Sequence, residues 1–560
     1  PIKSSAASDV YKRQIQLYMN KYLIKSALCA LLAVPVMTSC ELDQMPEDAL
    51  GFEQSWSTFE RAKKQYVGLQ ARLRSVSGGA CAYVSEIQAD LFSAAKNAVS
   101  LNQVYSWKFT TEQFDGDIVW GNNFFMVKQA NDFLNHMPQY CLKEPKTAKE
   151  FQQSALANRY LSAAHFSIAY AYTNMMVRYC KDYEPATAAN ELGLPLVTPD
   201  MTEHSKPSRA SLEATVGFIR EHLHKADSLM GVAADLEAQA LENAQSPDDA
   251  KFTVNMNGST TEVGLDTYRA LECRLDLYTH KYEEAIQIAD ELTPNYQLAS
   301  DAKQLQELWL YDTSSEIIFQ PLQTPDERVI TYSPIWVSYD IREDKETKKA
   351  YIHGANPYYI PTQGLINLFE SGDLRASMYF TNPFMGEQQL AMTYGDLTAA
   401  GVQFWKLHSN PNLYKDPEKE GPWGSPYVMA KAFRSAELYL IAAESSLKKA
   451  SRDEDAARGY LNELRAARGA SEIQAECTGD ELDQMMEDEW AREFAGEGFR
   501  LDCLKRWHKG FTRMKAQSFP VNILRPDALN LKVEANDKRF VWEIPSQDLQ
   551  ANSNLVPNWK

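Results

Sequence analysis

The sequence predicts a mainly α-helical fold in which divergent helical hairpins pack against a loop-rich part with short β-strands. Three observations carry this prediction. Apolar residues recur at helical spacing in paired segments separated by short polar breaks. A stretch of roughly 317–426 replaces that periodicity with Pro, Gly, Asn and aromatic residues. A composition of 44% hydrophobic and 24% charged residues belongs to a packed chain rather than a disordered one.

Residues 1–18 fit no targeting pattern and are read as a non-native segment upstream of the natural-looking start at Met19. From Met19 to Lys25 the chain opens with positive charge, and Ala27 to Val36 form an apolar run too short for a permanent membrane span. Met37-Thr38-Ser39-Cys40 then supplies a small-residue cleavage site. This resembles a bacterial lipobox, so residues 19–39 are expected to be a lipoprotein signal peptide and Cys40 the lipid attachment point. Glu41, Asp43, Glu47 and Asp48 follow directly, which resembles the surface-export pattern of Bacteroidetes lipoproteins. Residues 40–560 are expected to form one domain around the helical hairpins.

The formal charge of −18 argues against nucleic acid, or an anionic membrane face, as a partner of the general surface field. No second apolar stretch reaches membrane-spanning length. With Cys29 in the signal and Cys40 acylated, Cys81, Cys141, Cys180, Cys273, Cys477 and Cys503 remain; their wide spacing and the lack of a Cys-x-x-Cys pair point to buried free thiols.

Beyond the signal, the stretch Tyr83 to Phe125 is aromatic and Asn-rich and reads as loops. Leu161, Ala164, Ile168 and Ala171 define a helix within Ala155 to Arg178, with a partner expected over Leu212 to Leu229. Tyr268, Leu271, Leu275 and Tyr278 line one helix, Thr279-His280-Lys281 breaks it, and Tyr282, Ala285, Ile286, Ala289 and Leu292 line the next. Tyr282 to Ile286 is close to the second-helix pattern of a tetratricopeptide repeat. A third pair places Leu438, Ile441, Ala442 and Ser445 before Ala457, Leu461 and Leu464. Each hairpin exposes an apolar face that a neighbouring hairpin can cover, so stacking is expected.

The C-terminal third carries a resemblance. Phe433 to Glu444, Leu461 to Gly469, and Arg492 to Trp507 resemble three consecutive helical motifs of the SusD/RagB nutrient-binding lipoproteins of Bacteroidetes. Phe369 to Arg375 resembles a mid-chain element of the same family, and Trp542 to Pro545 with Asn552 to Trp559 resembles its ending. Cys40 to Asp43 and Glu86 to Asp90 look more like the RagB branch, and Trp490 departs from the family pattern, which has Arg there. The resemblance implies a SusD-like fold, a non-catalytic cell-surface lipoprotein of the outer membrane, no cofactor, and a SusC/RagA-type TonB-dependent outer-membrane barrel as partner. It also implies an oligomeric nutrient as ligand, a glycan in the first place; a RagB-type oligopeptide and a surface glycan hydrolase are the alternatives.

The motif residues Glu493, Glu497, Arg500, Asp502 and Arg506 read as structural ion pairs, because a general acid needs a raised pKa and nearby Arg residues lower it. His222-Leu223-His224 places its imidazoles on different sides of a helix and Asp115-Gly116-Asp117 lacks the later ligands of a calcium loop, so no metal site is expected. No nucleophile, zinc-protease or phosphate-loop motif occurs. For a polar polymer, aromatic faces flanked by amides and carboxylates are the suitable groups. The expected ligand-binding residues are Asp90, Asn97, Asn102 and Trp107 in the N-terminal loops, and Trp336, Tyr339, Tyr358 and Tyr359 in the middle region.

Overall fold

The helical hairpins stack in chain order in this computed structural model, which describes residues 51–110, 117–246, 259–329, 339–343, 345–348, 350–382, 386, 388–407, 410–420 and 427–559. The chain divides into Pro1–Ser55 and Trp56–Lys560. In the first unit Phe52–Ser55 makes a single helical turn. The signal peptide, Cys40 and Trp336 lie outside the described residues, as does the side chain of Tyr339.

In the second unit the helices that form the stack or carry the motif residues are α1 (Phe59–Ser77), α2 (Ala80–Gln88), α3 (Asp117–His136), α4 (Ala148–Tyr179), α5 (Leu212–Glu242), α6 (Leu265–Tyr278), α7 (Tyr282–Leu292), α8 (Leu374–Phe380), α9 (Ser435–Lys448), α10 (Glu454–Ala467), α11 (Gly479–Phe494) and α12 (Arg500–Arg506). Packing runs α1 on α3, α3 on α4, α4 on α5, then through α6, α7, α9, α10 and α11. The predicted hairpins are α4/α5, α6/α7 and α9/α10, and the residues assigned to their apolar faces lie in the core or pack against it. Helix α4 starts at a capping box, with Thr147 Oγ1 accepting from the Glu150 N–H and Glu150 returning the bond to the Thr147 N–H. Its 32 residues extend about 48 Å, and small side chains (Ala157, Ala163, Ala164, Ala169, Ala171) let neighbours approach from several sides.

The loop-rich expectation for Tyr83 to Phe125 holds only in its middle. Its ends are helical, in α2 and α3. The α2 sequence Ala-Cys-Ala-Tyr-Val-Ser-Glu-Ile-Gln is buried at eight of nine positions, so it has no polar face and no amphipathic period to read.

Short strands serve the loop-rich part. β1 (Phe92–Ala94) pairs antiparallel with β5 (Tyr359–Pro361), Ala94 opposite Tyr359. β2 (Ile317–Phe319) pairs with β8 (Phe433–Arg434), Arg434 opposite Ile317. A four-stranded sheet runs β3 (Tyr339–Glu343), β4 (Ala350–Ala355), β6 (Gln389–Tyr394), β7 (Leu397–Val402). The β6/β7 hairpin turns on Gly395-Asp396, with Gly395 at φ 63° as a tight two-residue turn requires.

Candidate ligand-binding site

The motif residues of the C-terminal third converge on one buried ionic lattice. Glu489 and Glu493 stand four apart on one face of α11, and Arg375 Nη1 reaches both, at 2.5 and 2.8 Å. Glu493 Oε1 also accepts from Arg434 (2.5 Å) and Arg468 (2.8 Å), and Oε2 from Arg468 Nε (3.1 Å). The β2/β8 pair sets Arg434 beside Glu316, which it meets at 2.9 Å. Asp373 caps α8, accepting from the Arg375 N–H and gripping its guanidinium through both oxygens. Bidentate pairs Arg274–Glu437 and Arg506–Glu444 tie α6 and α12 to α9. Trp490 takes a core position, 3% exposed, with its ring against Phe494 and Phe499.

Glu489 and Glu493 are held ionised. Burial would raise Glu493 and Glu489, but the surrounding guanidiniums outweigh it; Glu493 lies well below its ordinary range and Glu489 at about 2. Asp502 differs, since burial raises it despite Arg178 at 3.2 Å. Glu86 differs more: burial lifts it to about 7 although it accepts from the backbone N–H groups of Gly496, Gly498 and Arg500. The cavity beside Glu497 and Asp502 holds about 50 Å3, room for a water or two and not for a sugar ring.

The expected ligand residues divide sharply. Asp90 is buried in a bidentate pair with Arg500, at 2.8 and 2.9 Å. Trp107 is 3% exposed; its Nε1 donates to Gln88 O at 2.7 Å and its ring packs on Phe511 and Phe540. Tyr359 is buried at 1% exposure and donates to Ser100 O at 2.7 Å. All three side chains are occupied within the fold, so a ligand reaches none of their faces without displacing core.

Tyr358 precedes Tyr359 and takes the opposite side of the extended chain, which leaves it 40% exposed. Its carbonyl accepts from the Ala95 N–H at 2.9 Å, and Asn97 Nδ2 donates to Asn356 O at 3.0 Å, so the 95–102 segment is fastened to the 356–361 segment. Arg525 fastens the same turn from the C-terminal side, through Ala94 O and Ala98 O. The Oδ1 atoms of Asn97 and Asn102 are buried and accept no hydrogen bond. Of the expected residues, the described structure thus leaves Tyr358 exposed, with Asn97 fastening the adjoining segments and Tyr359 buried. Tyr339 stands in β3 opposite Ala355.

Over residues 311–559 the chain matches the model of the SusD family. This part of the chain is a SusD-family region. The whole fold agrees: a SusD superfamily protein from Bacteroides thetaiotaomicron aligns with 18% identity and TM-score 0.66 over 90% of this chain and 100% of its own. One from Bacteroides vulgatus gives 20%, 0.64, 90% and 99%. A SusD-like carbohydrate binding protein from Bacteroides vulgatus gives 16%, 0.60, 89% and 97%. No curated protein matches. The SusD-family region begins before β2 and takes in the sheet, the ionic lattice and α9–α12.

A cleft of about 310 Å3 lies elsewhere, lined by Asp182, Glu184, Lys505, His508, Asn536 and Val541 among others. None of the expected ligand residues lines it. Sequence reasoning passed over it because its walls come from three distant segments with no shared motif.

Proposed function

We propose that the protein is a non-catalytic, lipid-anchored cell-surface protein that captures an oligomeric nutrient, a glycan in the first place, and delivers it to a SusC/RagA-type TonB-dependent barrel. The observation that carries the reading is the SusD-family match over residues 311–559. The SusD-like carbohydrate binding protein that shares the fold supports a glycan ligand. Tyr358 is 40% exposed and offers an aromatic face of the kind that stacks on the C–H side of a sugar ring. The lipid at Cys40 supplies the membrane attachment, and no helix of the described residues is long and apolar enough to cross a membrane.

The motif carboxylates argue against hydrolysis. A glycosidase needs one carboxylic acid kept protonated beside an open substrate site. Glu489 and Glu493 are ionised and enclosed by Arg residues, and Glu86, lifted to about 7, is fully buried with its oxygens taken by backbone N–H groups.

The test is calorimetric titration with a panel of oligosaccharides and, separately, a mixed oligopeptide pool. Saturable heat with a glycan that weakens in Tyr358→Ala supports the proposal. Saturation by peptides alone transfers it to the oligopeptide alternative.

A further inference from the structure

The mouth of the 310 Å3 cleft brings together three groups that the glycan-binding reading does not use. Asp182 and Glu184 follow the C-terminus of α4, and His508 follows α12, 324 residues further along. His508 Nε2 stands 3.3 Å from Asp182 Oδ2 and 3.3 Å from Glu184 Oε1, and one ligand atom from each residue fits within 4.8 Å of the others. For a tetrahedral ion with bonds of about 2.0–2.1 Å, the ligand-to-ligand edge is about 3.3–3.4 Å. Two edges of the triangle have that length.

A second observation points to a missing ligand. The Asp182 side chain is only 10% exposed and lines the cleft, yet its Oδ2 accepts no hydrogen bond. A buried carboxylate oxygen without a donor is costly. The one ion-pair partner at that oxygen is His508 Nε2, itself a member of the cluster; the hydrogen bonds of Lys505 go to Val177 O and Cys180 O, and Lys181 and Arg506 pair with Glu191 and Glu444. His280 Nδ1, 4.0 Å from Glu184 Oε2, is placed to steady that carboxylate from behind.

We propose that Asp182, Glu184 and His508 form a binding site for a divalent transition ion of the Zn2+ class. The imidazole ligand favours such an ion over Ca2+ or Mg2+, which take oxygen ligands. Three protein ligands leave a fourth position for water or for an oxygen of a molecule in the cleft. This inference stands on geometry independent of the proposed function.

The experiment is titration of the chelator-stripped full chain with Zn2+, followed by calorimetry, with Co2+ as a spectroscopic probe. The expected result is one ion per chain, with affinity reduced about tenfold or more in both His508→Ala and Asp182→Asn and unchanged in His204→Ala, whose imidazole is a surface group remote from the cleft in sequence. His508 is 62% exposed, so its replacement leaves packing intact. Failure to bind Zn2+ stoichiometrically, binding unaffected in both variants, or a Co2+ spectrum with strong thiolate charge-transfer bands each overturns the proposal.

Discussion

Replacing Glu493 by Gln is the sharpest way to separate a structural lattice from a catalytic one. The Glu493 carboxylate is 1% exposed and accepts four hydrogen bonds, one each from Arg434 and Arg375 and two from Arg468, at 2.5 to 3.1 Å. An amide keeps the shape but removes the charge and turns one acceptor into a donor facing guanidinium N–H groups. Three buried cations then lose a shared counter-charge. Breaking a buried pair from one side costs about 3–5 kcal/mol, a large share of the roughly 5–15 kcal/mol that holds a domain together. Urea unfolding at pH 7 is the assay, read from the transition midpoint of variant and parent. The loss is expected to persist in 0.5 M salt, because buried charges are little screened. A Glu493→Gln variant as stable as the parent, or a stable variant that loses a hydrolytic activity the parent possesses, refutes the structural assignment.

Three further outcomes follow from the same packing. Glu86 has a folded pKa of about 7 against an ordinary 4.5, so its contribution to stability is fully present below pH 4.5 and lost as pH rises through 7; the stability of the parent relative to Glu86→Gln should fall by on the order of 3 kcal/mol between pH 4.5 and 7.5, and a flat difference contradicts it. Gly498 sits at φ 96° with its missing Cβ 2.7 Å from Ala82 Cα, so Gly498→Ala should cost about 2 kcal/mol or more in urea unfolding, from strain and close contact together. Trp107→Ala should cost about 3–5 kcal/mol of stability, whereas Tyr358→Ala should leave stability nearly unchanged and weaken ligand binding by roughly 0.5–1.5 kcal/mol, measured by calorimetry.

What the sequence made legible were features with a local period. Tyr268, Leu271, Leu275 and Tyr278 repeat at helical spacing, and the helix they announce is α6. Leu438, Ile441 and Ala442 announce α9 in the same way. Helix α2 was hidden because burial on all sides erases the period. The aromatic texture around Trp107 suggested a ligand surface, but its burial is decided by Phe511, Phe540 and Arg539, more than 400 residues away, and no local pattern reports that. Tyr358 and Tyr359 are adjacent and chemically alike; only the strand pairing with β1 turns one outward and the other into the core. The Arg and Glu residues of the C-terminal motifs were recognisable as partners, yet the recruitment of Glu316 and Arg375 into the same lattice is a tertiary fact. The Asp182, Glu184 and His508 cluster is illegible for the same reason, its members lying 324 residues apart.

The measurement that bears most directly on capture without cleavage is mass spectrometry of the saturating oligosaccharide recovered after prolonged incubation with the protein. The account predicts the ligand at its original mass, fully recovered, with binding heat that repeats on a second titration. Shortened products that accumulate with time and disappear in Glu493→Gln or Glu86→Gln would contradict it.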